Sequence, residues 1–405
     1  MDAFEKLASF QPFMAFEDEE EKAIPPVGCP MTEGGSIPGR HIAKMLEEGT
    51  KEICSPEENL PISHATLPNG RKVPLLKTVL TSACERNCYY CAFRAGRDFR
   101  RSTFQPEELA KTFLSVYQRG IVEGMFLSSG VAGGGIRTQD RLIATAEVLR
   151  EKLGYRGFLH LKIMPGAEKA QVERAMQLAD RVSVNLEAPT SARLGQLAPQ
   201  KMLLEELLQP LRWVEEIRQS LPGWEGWDGH WPSSTTQFVV GAVGETDLEL
   251  LRATEYLYRK LRLARAYYSG FNPVSDTPLE GHNPVNPWRT HRLYQASFLL
   301  RDYGFEYEEL PFSGAGSLPL ETDPKLAWAR LHLLEAPLEI NRIGLQELIR
   351  IPGIGPRGAR AILEARRKSR LVRLEDLQAL GVHAHRAAPF VLLAGKRPAF
   401  QLHLF

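Results

Sequence analysis

From Val73 onward, short apolar runs alternate with longer segments whose apolar positions recur at helical spacing, which is the pattern of repeated βα units and a parallel sheet. The runs predict strands at 75–82, 125–129, 158–164, 182–187, 237–243 and 266–271. The helical segments fall at 106–119, 139–153, 167–179, 201–219, 247–263 and 289–302. Six successive units make a partial, TIM-like (β/α)6 barrel the economical α/β architecture. Ahead of it, residues 1–72 read as an irregular wrap or partner surface, rich in Pro25, Pro26, Gly34, Gly35, Pro38 and Gly39, with a short helical stretch at 42–48. The barrel is expected over 73–304, a linker over 305–336 and a small all-α domain over 337–405. A loop with Trp224, Trp227 and Trp231 interrupts the pattern before the fifth strand. It is packed on the barrel rim, or it is an aromatic lid or a base-stacking surface.

Three of the five cysteines in 405 residues stand within eight positions, as Cys84-Glu85-Arg86-Asn87-Cys88-Tyr89-Tyr90-Cys91. A C-x3-C-x2-C loop suits three corners of a cubane [4Fe-4S] cluster and leaves one iron without a protein ligand. The alternatives are incidental thiols or structural zinc, and zinc would want a fourth ligand that no nearby second pair offers. Cys29 and Cys54 read as free structural thiols in a reducing compartment.

In a βα barrel reactive groups gather at the carboxyl ends of the strands, and the cysteine loop directly follows the first of them. The other strand ends carry Ser128-Ser129-Gly130, Lys162 to Gly166, Asn185-Leu186-Glu187, Gly241 to Glu245, and Tyr267-Tyr268. Loop, units and strand ends together resemble the radical S-adenosylmethionine superfamily. That resemblance implies a [4Fe-4S] cluster whose open iron chelates S-adenosylmethionine, and reductive cleavage to a 5′-deoxyadenosyl radical. It implies that Tyr90 lies against the adenine and that Ser128, Ser129 and Gly130 take the place of a Gly-rich turn binding the methionyl ammonium. The superfamily more often has Gly-Gly-Glu at that turn. Asn185 and Glu187 share one strand face and would reach ribose hydroxyls or the amino acid end. Gly244 and Glu245 would approach the adenine. Each turn has a plainer reading as local turn or helix-entry chemistry. Lys162 would either meet the cofactor carboxylate or point to the surface, and Tyr267 or Tyr268 would line a substrate pocket or supply a hydrogen atom.

Net charge is +1, yet 337–405 carries twelve Lys and Arg against five Asp and Glu. Within it Gly353-Ile354-Gly355 joins two short amphipathic helices and resembles a helix-hairpin-helix module. Such a turn exposes backbone amides to a phosphate at a helix N-terminus. Arg357, Arg360, Arg366 and Arg367 extend the positive surface, and Leu380-Gly381-Val382 stands where a second, decayed unit would have its hairpin. Contacts of this kind go to the nucleic-acid backbone without reading bases. The plainer use of the module is protein contact.

Barrel and tail together resemble radical S-adenosylmethionine proteins assigned to DNA modification or repair. The partners implied are DNA, a reductant such as flavodoxin or ferredoxin, and a DNA-processing protein. Rival readings keep the radical chemistry for RNA or a protein, or make the chain a DNA-binding protein with a structural or redox cluster. A hydrophobic fraction of 43% with 24% charged residues is that of a globular enzyme. No apolar run approaches the roughly 18 residues of a membrane span, and the acidic run Glu17 to Glu21 is unlike a signal peptide, so a cytoplasmic location is expected.

Overall fold

The computed structural model describes residues 2–14, 60–66 and 72–399; the helical stretch expected at 42–48, Cys29 and Cys54 lie outside the described residues. The chain forms two compact units: Met1–Arg86 with Ala92–Val182 and Gly223–Pro232, and Asn87–Cys91 with Ser183–Pro222 and Ser233–Phe405.

The first unit opens with helix α1 (Ala3–Met14) and strand β1 (Ile62–Thr66), two elements in a stretch expected to be irregular. Pro12 disguises the helix in the sequence, but it falls in the last turns, and Leu7, Phe10 and Met14 share a buried face. Strand β2 (Lys72–Val79) pairs antiparallel with β1. Helix α2 (Pro106–Gln118), strand β3 (Gly124–Ser128), helix α3 (Gly135–Glu147), strand β4 (Phe158–Lys162), helix α4 (Lys169–Leu178) and strand β5 (Arg181–Ser183) follow. β2, β3 and β4 run parallel, with Leu76 beside Met125 and Met125 beside Leu159. The two sheet faces differ sharply. Leu76, Met125, Leu127, Leu159 and Leu161 are wholly buried on the face that right-handed crossovers place under the helices. The alternate positions carry Lys77, Phe126, Ser128, His160 and Lys162.

α3 continues as a π-helical stretch, Val148–Lys152, that brings Arg150 inside. Its guanidinium donates to the Leu178, Tyr155 and Gly157 carbonyls at 2.9, 3.0 and 2.8 Å and to Asp180 Oδ2 at 2.8 Å. The Trp227 ring covers the same guanidinium, 3.9 Å from its centroid. Tyr155 and Gly157 precede β4 and Asp180 precedes β5, so this indole sits at the amino ends of those strands. The cysteine loop leaves the carboxyl end of β2. The lid reading of the tryptophan loop is thereby corrected: Trp227 is part of a structural arginine site at the other end of the sheet.

In the second unit come helix α5 (Ser191–Leu197), a π-helical stretch Leu203–Leu208, helix α6 (Gln209–Ser220), strand β6 (Ser233–Val240), helix α7 (Asp247–Leu261), strand β7 (Arg265–Gly270) and helix α8 (Pro287–Asp302). Thr246 caps α7 in a reciprocal box with Glu249. β6 and β7 are parallel, and strand order follows chain order from β1 to β7. The expected strand at 182–187 shortens to β5 for a local reason. Thr236 Oγ1 accepts from the Leu186 amide at 3.2 Å and donates to the Val184 carbonyl at 2.7 Å, and Glu187 turns to a left-handed φ of 63°. A side chain thus interrupts the ladder, which resumes at a parallel bridge between Glu187 and Phe238.

Helix α9 (Pro324–His332) leads to the basic tail. The tail is not purely helical as expected: two-residue strands β8 (Leu338–Glu339) and β9 (Val391–Leu392) pair in parallel and tie its ends together. Between them lie α10 (Leu345–Leu348), α11 (Pro356–Ala365), α12 (Leu374–Ala379) and α13 (Ala384–Ala387). The Gly353 turn has φ 83°, and a Cβ there would stand 2.4 Å from the His383 carbonyl oxygen, so the two helical pairs meet turn against turn. Lys325 Nζ donates to the Ile354 carbonyl at 2.6 Å and lies 4.6 Å from the Tyr303 ring centroid.

Replacing Arg150 with Met should destabilise the protein by about 3–5 kcal/mol, because three carbonyls and Asp180 lose their donor; urea unfolding checks this. Lys325 gives a pH signature. Burial pushes its ammonium down from 10.5 to about 7, so the unfolded chain holds the extra proton between those values. Stability contributed by this group should therefore be lowest below about 7 and rise as pH climbs toward 10.5. Lys325→Met should flatten that rise, read as the unfolding midpoint against pH.

Candidate functional site

In the first unit the chain leaving β2 is held by backbone contacts to the turn after β3. The Gly130 amide donates to the Thr81 carbonyl and the Glu85 amide to the Val131 carbonyl, both at 2.8 Å. A Cβ on Gly130 would fall 2.3 Å from the Ala83 carbonyl oxygen, so only glycine lets the turn approach. Ser129 is buried and its hydroxyl donates to the Gly130 carbonyl at 2.7 Å. The Ser128 carbonyl accepts from the Leu80 amide. Glu85, between the first two cysteines, accepts from the Gly133 and Gly134 amides at 3.1 Å each. That acidic clamp escaped the sequence reading, although a glycine triplet after a strand end signals a close backbone approach. Arg101 fixes the exit of the loop, donating to the Ser82, Phe93 and Arg94 carbonyls at 2.8, 3.0 and 2.8 Å. Phe13 of α1 packs on Phe93 and Phe99 with centroids 5.2 and 5.3 Å away. Cys84 is half-buried, and Lys162 ends β4 on the polar face.

The second unit carries Cys88, Tyr90 and Cys91 with Asn185, Glu187 and Lys201. Cys88 is buried and Cys91 half-buried. The Tyr89 amide donates to the Leu197 carbonyl at 2.8 Å, anchoring the loop to α5. Lys201 Nζ and Glu187 Oε1 form a buried ion pair at 2.9 Å. Burial alone would lower the Lys201 ammonium, but the Cys88 sulfur and the Glu187 carboxylate outweigh it and raise it well above the usual lysine range. Tyr90 is held far above the phenol range by burial, then by Glu187, Cys88 and Cys91. Glu187 Oε2 is buried without a hydrogen-bond partner. Lys201 was missed because it stands in a loop with no motif around it. Asn185 Nδ2 donates to Gln237 Oε1 at 3.3 Å.

Gly244 has φ 69°. The Glu245 carboxylate accepts from the Gly241 and Val243 amides and meets Arg289 at 3.4 Å, so it holds its own turn. Tyr268 is buried, its hydroxyl 2.7 Å from Thr254 Oγ1, and only Tyr267 alternates to the opposite face. Among the described residues no three His, Cys, Asp or Glu side chains close around a point as a single metal ion would need.

In the tail Arg357, Arg360 and Arg367 are exposed, while Gly353 and Gly355 are half-buried. Ile354 is a core residue whose amide donates to the Ile351 carbonyl. Arg366 donates to the Ile340 and Ile343 carbonyls at 3.0 and 2.6 Å. Ile354 and Arg366 therefore serve the module's own structure, which corrects their reading as nucleic-acid contacts. No described helix is long and apolar enough to cross a membrane.

No protein-family model matches the chain, and no curated protein matches it. It is similar to the solved structure of the FeFe-hydrogenase maturase HydG from Carboxydothermus hydrogenoformans, at 15% identity and TM-score 0.44 over 56% of this chain and 51% of that one. It is similar to methylornithine synthase (PylB) at 14% identity and TM-score 0.44, over 56% and 62% of the two chains. The radical S-adenosylmethionine methyltransferase TsrM from Kitasatospora setae is similar at 14% identity and TM-score 0.37, over 51% and 38%. The chain thus spans between about half and three fifths of the lengths of the first two.

Gly130→Ala should displace the loop that carries Cys84 and lower the iron bound after anaerobic reconstitution, whereas Gly281→Ala, where a Cβ meets nothing within 4 Å, should leave it unchanged. Iron and sulfide analysis of the two variants reads the difference.

Proposed function

We propose that this chain is a radical S-adenosylmethionine enzyme acting on DNA, with Cys84, Cys88 and Cys91 holding a [4Fe-4S] cluster. The observation that carries the reading is the three-thiol loop with a buried Lys201–Glu187 pair beside Cys88 and Cys91. The donor set fits the group: three soft thiolates, with no fourth cysteine among the described residues, suit a cubane with one open iron. The fixed ammonium of Lys201 offsets thiolate charge. When bound, the cluster supplies the electron that cleaves S-adenosylmethionine to a 5′-deoxyadenosyl radical.

The chain's own residues do the positioning. Lys201 engages one Glu187 oxygen and leaves Oε2, already desolvated, to accept from a cofactor ammonium or ribose hydroxyl. Tyr90 stays protonated and offers a flat face to the adenine. Asn185 and the bare backbone of Gly244 complete that side, with Glu245 holding the Gly244 turn. Ser128, Ser129 and Gly130 supply backbone groups for the methionyl end, and Lys162 meets its carboxylate. In the tail, Arg357, Arg360 and Arg367 with the Gly353–Gly355 turn form a helix-hairpin-helix that grips phosphates. A base inside a duplex is out of reach, so the substrate is single-stranded or extruded. A flavodoxin or ferredoxin supplies the electron, and a DNA-processing protein takes the product.

Reduced, reconstituted protein should release 5′-deoxyadenosine from S-adenosylmethionine and Cys88→Ala should not. Release should rise with DNA and lose that increment in the Arg357→Ala, Arg360→Ala double variant. Stimulation by transfer RNA instead, or indifference to DNA, would move the substrate away from DNA; absence of cleavage under every condition would sink the enzyme reading.

A further inference from the structure

In the second unit a cavity of about 480 Å3 opens between the stretch 311–322 and helix α9, and no residue assigned above to the cofactor or to nucleic acid lines it. The volume lies within the roughly 300–1,000 Å3 of ligand pockets. Pro311, Phe312, Leu318, Pro319, Ala327 and Leu331 give it an apolar lining. Both walls are fixed from behind. The Leu318 amide donates to Asp247 Oδ2 at 2.8 Å, the Leu248 amide to the Gly316 carbonyl at 3.0 Å, and Arg292 donates to the Leu320 carbonyl from Nε and Nη2 at 2.8 and 2.7 Å. Trp328, buried with its ring 5.3 Å from Phe305, anchors the helix that presents Ala327 and Leu331. The cavity is therefore preformed, held by bonds made outside its lining.

Leu331 is 73% exposed and Leu334, three residues on, 41% exposed, so apolar surface continues from the cavity past the end of α9. An exposed apolar strip continuous with a cavity is the mark of an interaction site. Arg330 supplies the charge. It is exposed, its hydrogen bond to Thr322 Oγ1 is long at 3.5 Å, and no carboxylate among the described residues pairs with it. Of the carboxylates in the adjoining chain, Asp323 is paired with Arg386 at 2.6 Å and Glu321 sits in the field of Arg292. An apolar lining with an unpaired guanidinium at its edge is complementary to apolar side chains with a carboxylate beside them. A small acid would fill the cavity and leave Leu334 in water, whereas a peptide continuing past the cavity covers it.

We propose that this groove docks a partner protein through an acidic, apolar peptide segment: apolar side chains enter between Phe312 and Leu331 and extend over Leu334, and a carboxylate meets Arg330. The apolar contact supplies affinity, and the single ion pair at the rim sets which segment is accepted. The inference goes beyond the radical reading and does not depend on it, because the groove is complete without the cysteine loop or any cofactor.

The test uses the full chain and three fluorescein-labelled peptides, with binding read by fluorescence polarisation. The peptides are Gly-Leu-Phe-Asp-Leu-Gly, its counterpart with Asn in place of Asp, and Gly-Ser-Ser-Asp-Ser-Gly. The first should bind about threefold tighter than the second, the size of one exposed ion pair, and at least about tenfold tighter than the third. Arg330→Gln should bring the first two level. Leu331→Ser should weaken both apolar peptides about tenfold, the size of one leucine contact partly withdrawn from water. Both side chains are exposed, so each variant should keep its fold. Equal binding of the Asp and Asn peptides, unchanged affinities in Leu331→Ser, or no binding of either apolar peptide would overturn the assignment. Two further outcomes would also overturn it by naming another occupant. Phenylacetate binding more tightly than the first peptide would give the cavity to a small acid, and self-association of the chain abolished by Leu331→Ser would give the face to a second copy.

Discussion

The position of the cysteine loop depends on places where two backbones pass too close for a side chain. Gly130 has no room for a Cβ against the Ala83 carbonyl, and a Cβ on Gly135 would fall 2.0 Å from the Pro165 carbonyl oxygen. The loops after β2, β3 and β4 are therefore stacked backbone on backbone in the first unit. Glu85 adds a carboxylate across the Gly133 and Gly134 amides. Backbone contact of this kind places the strand end before Cys84 more firmly than side-chain packing would, since it has no rotamers to explore. Arg101 and α1 act on the segment after Cys91, through the carbonyls of Phe93 and Arg94 and the rings of Phe93 and Phe99.

Charge in the second unit is arranged with equal economy. A buried ion pair rarely adds stability, because desolvating two charges costs about what their attraction returns. Lys201 and Glu187 make more sense as a device that keeps an ammonium next to Cys88 and Cys91 and a desolvated oxygen next to Tyr90. Glu187 also holds a left-handed backbone that costs an L-residue of its kind about 1 kcal/mol or more. Strain and an unsatisfied oxygen at one residue are each hard to explain by folding alone.

Much of this was legible in the sequence. The βα alternation located each strand from β2 to β7 to within a few residues, because buried strands read as plain apolar runs. What it could not show were departures made by single side chains: Thr236 interrupting the ladder beyond β5, or Pro12 lying late enough in α1 to leave the helix whole. The cysteine spacing was readable because one loop carries it. The Lys201–Glu187 pair was not, since its members come from separate loops. Arg366 looked like surface charge, yet its carbonyl partners Ile340 and Ile343 are more than twenty residues away in sequence. The row of Lys77, Phe126 and His160 did leave a trace, a polar period of two inside otherwise apolar strands.

The distribution of aromatic rings bears on how a nucleotide would be held. Trp227 is occupied with Arg150 at the amino ends of the strands, and Tyr268 faces the buried side against Thr254. Neither can stack on a base at the carboxyl ends. Among the described residues of the first unit's sheet, the polar face carries Phe126 and His160 as a close, tilted ring pair with centroids 4.3 Å apart. Stacking on such a platform contributes about 1–3 kcal/mol per base and does not discriminate strongly among bases. On the proposed DNA reading, the tail's exposed arginines would contact phosphates and read no sequence. Selectivity in a DNA reaction would then come from which nucleotide is already unstacked and can be drawn out, a property of the damaged or single-stranded substrate more than of any base-reading side chain.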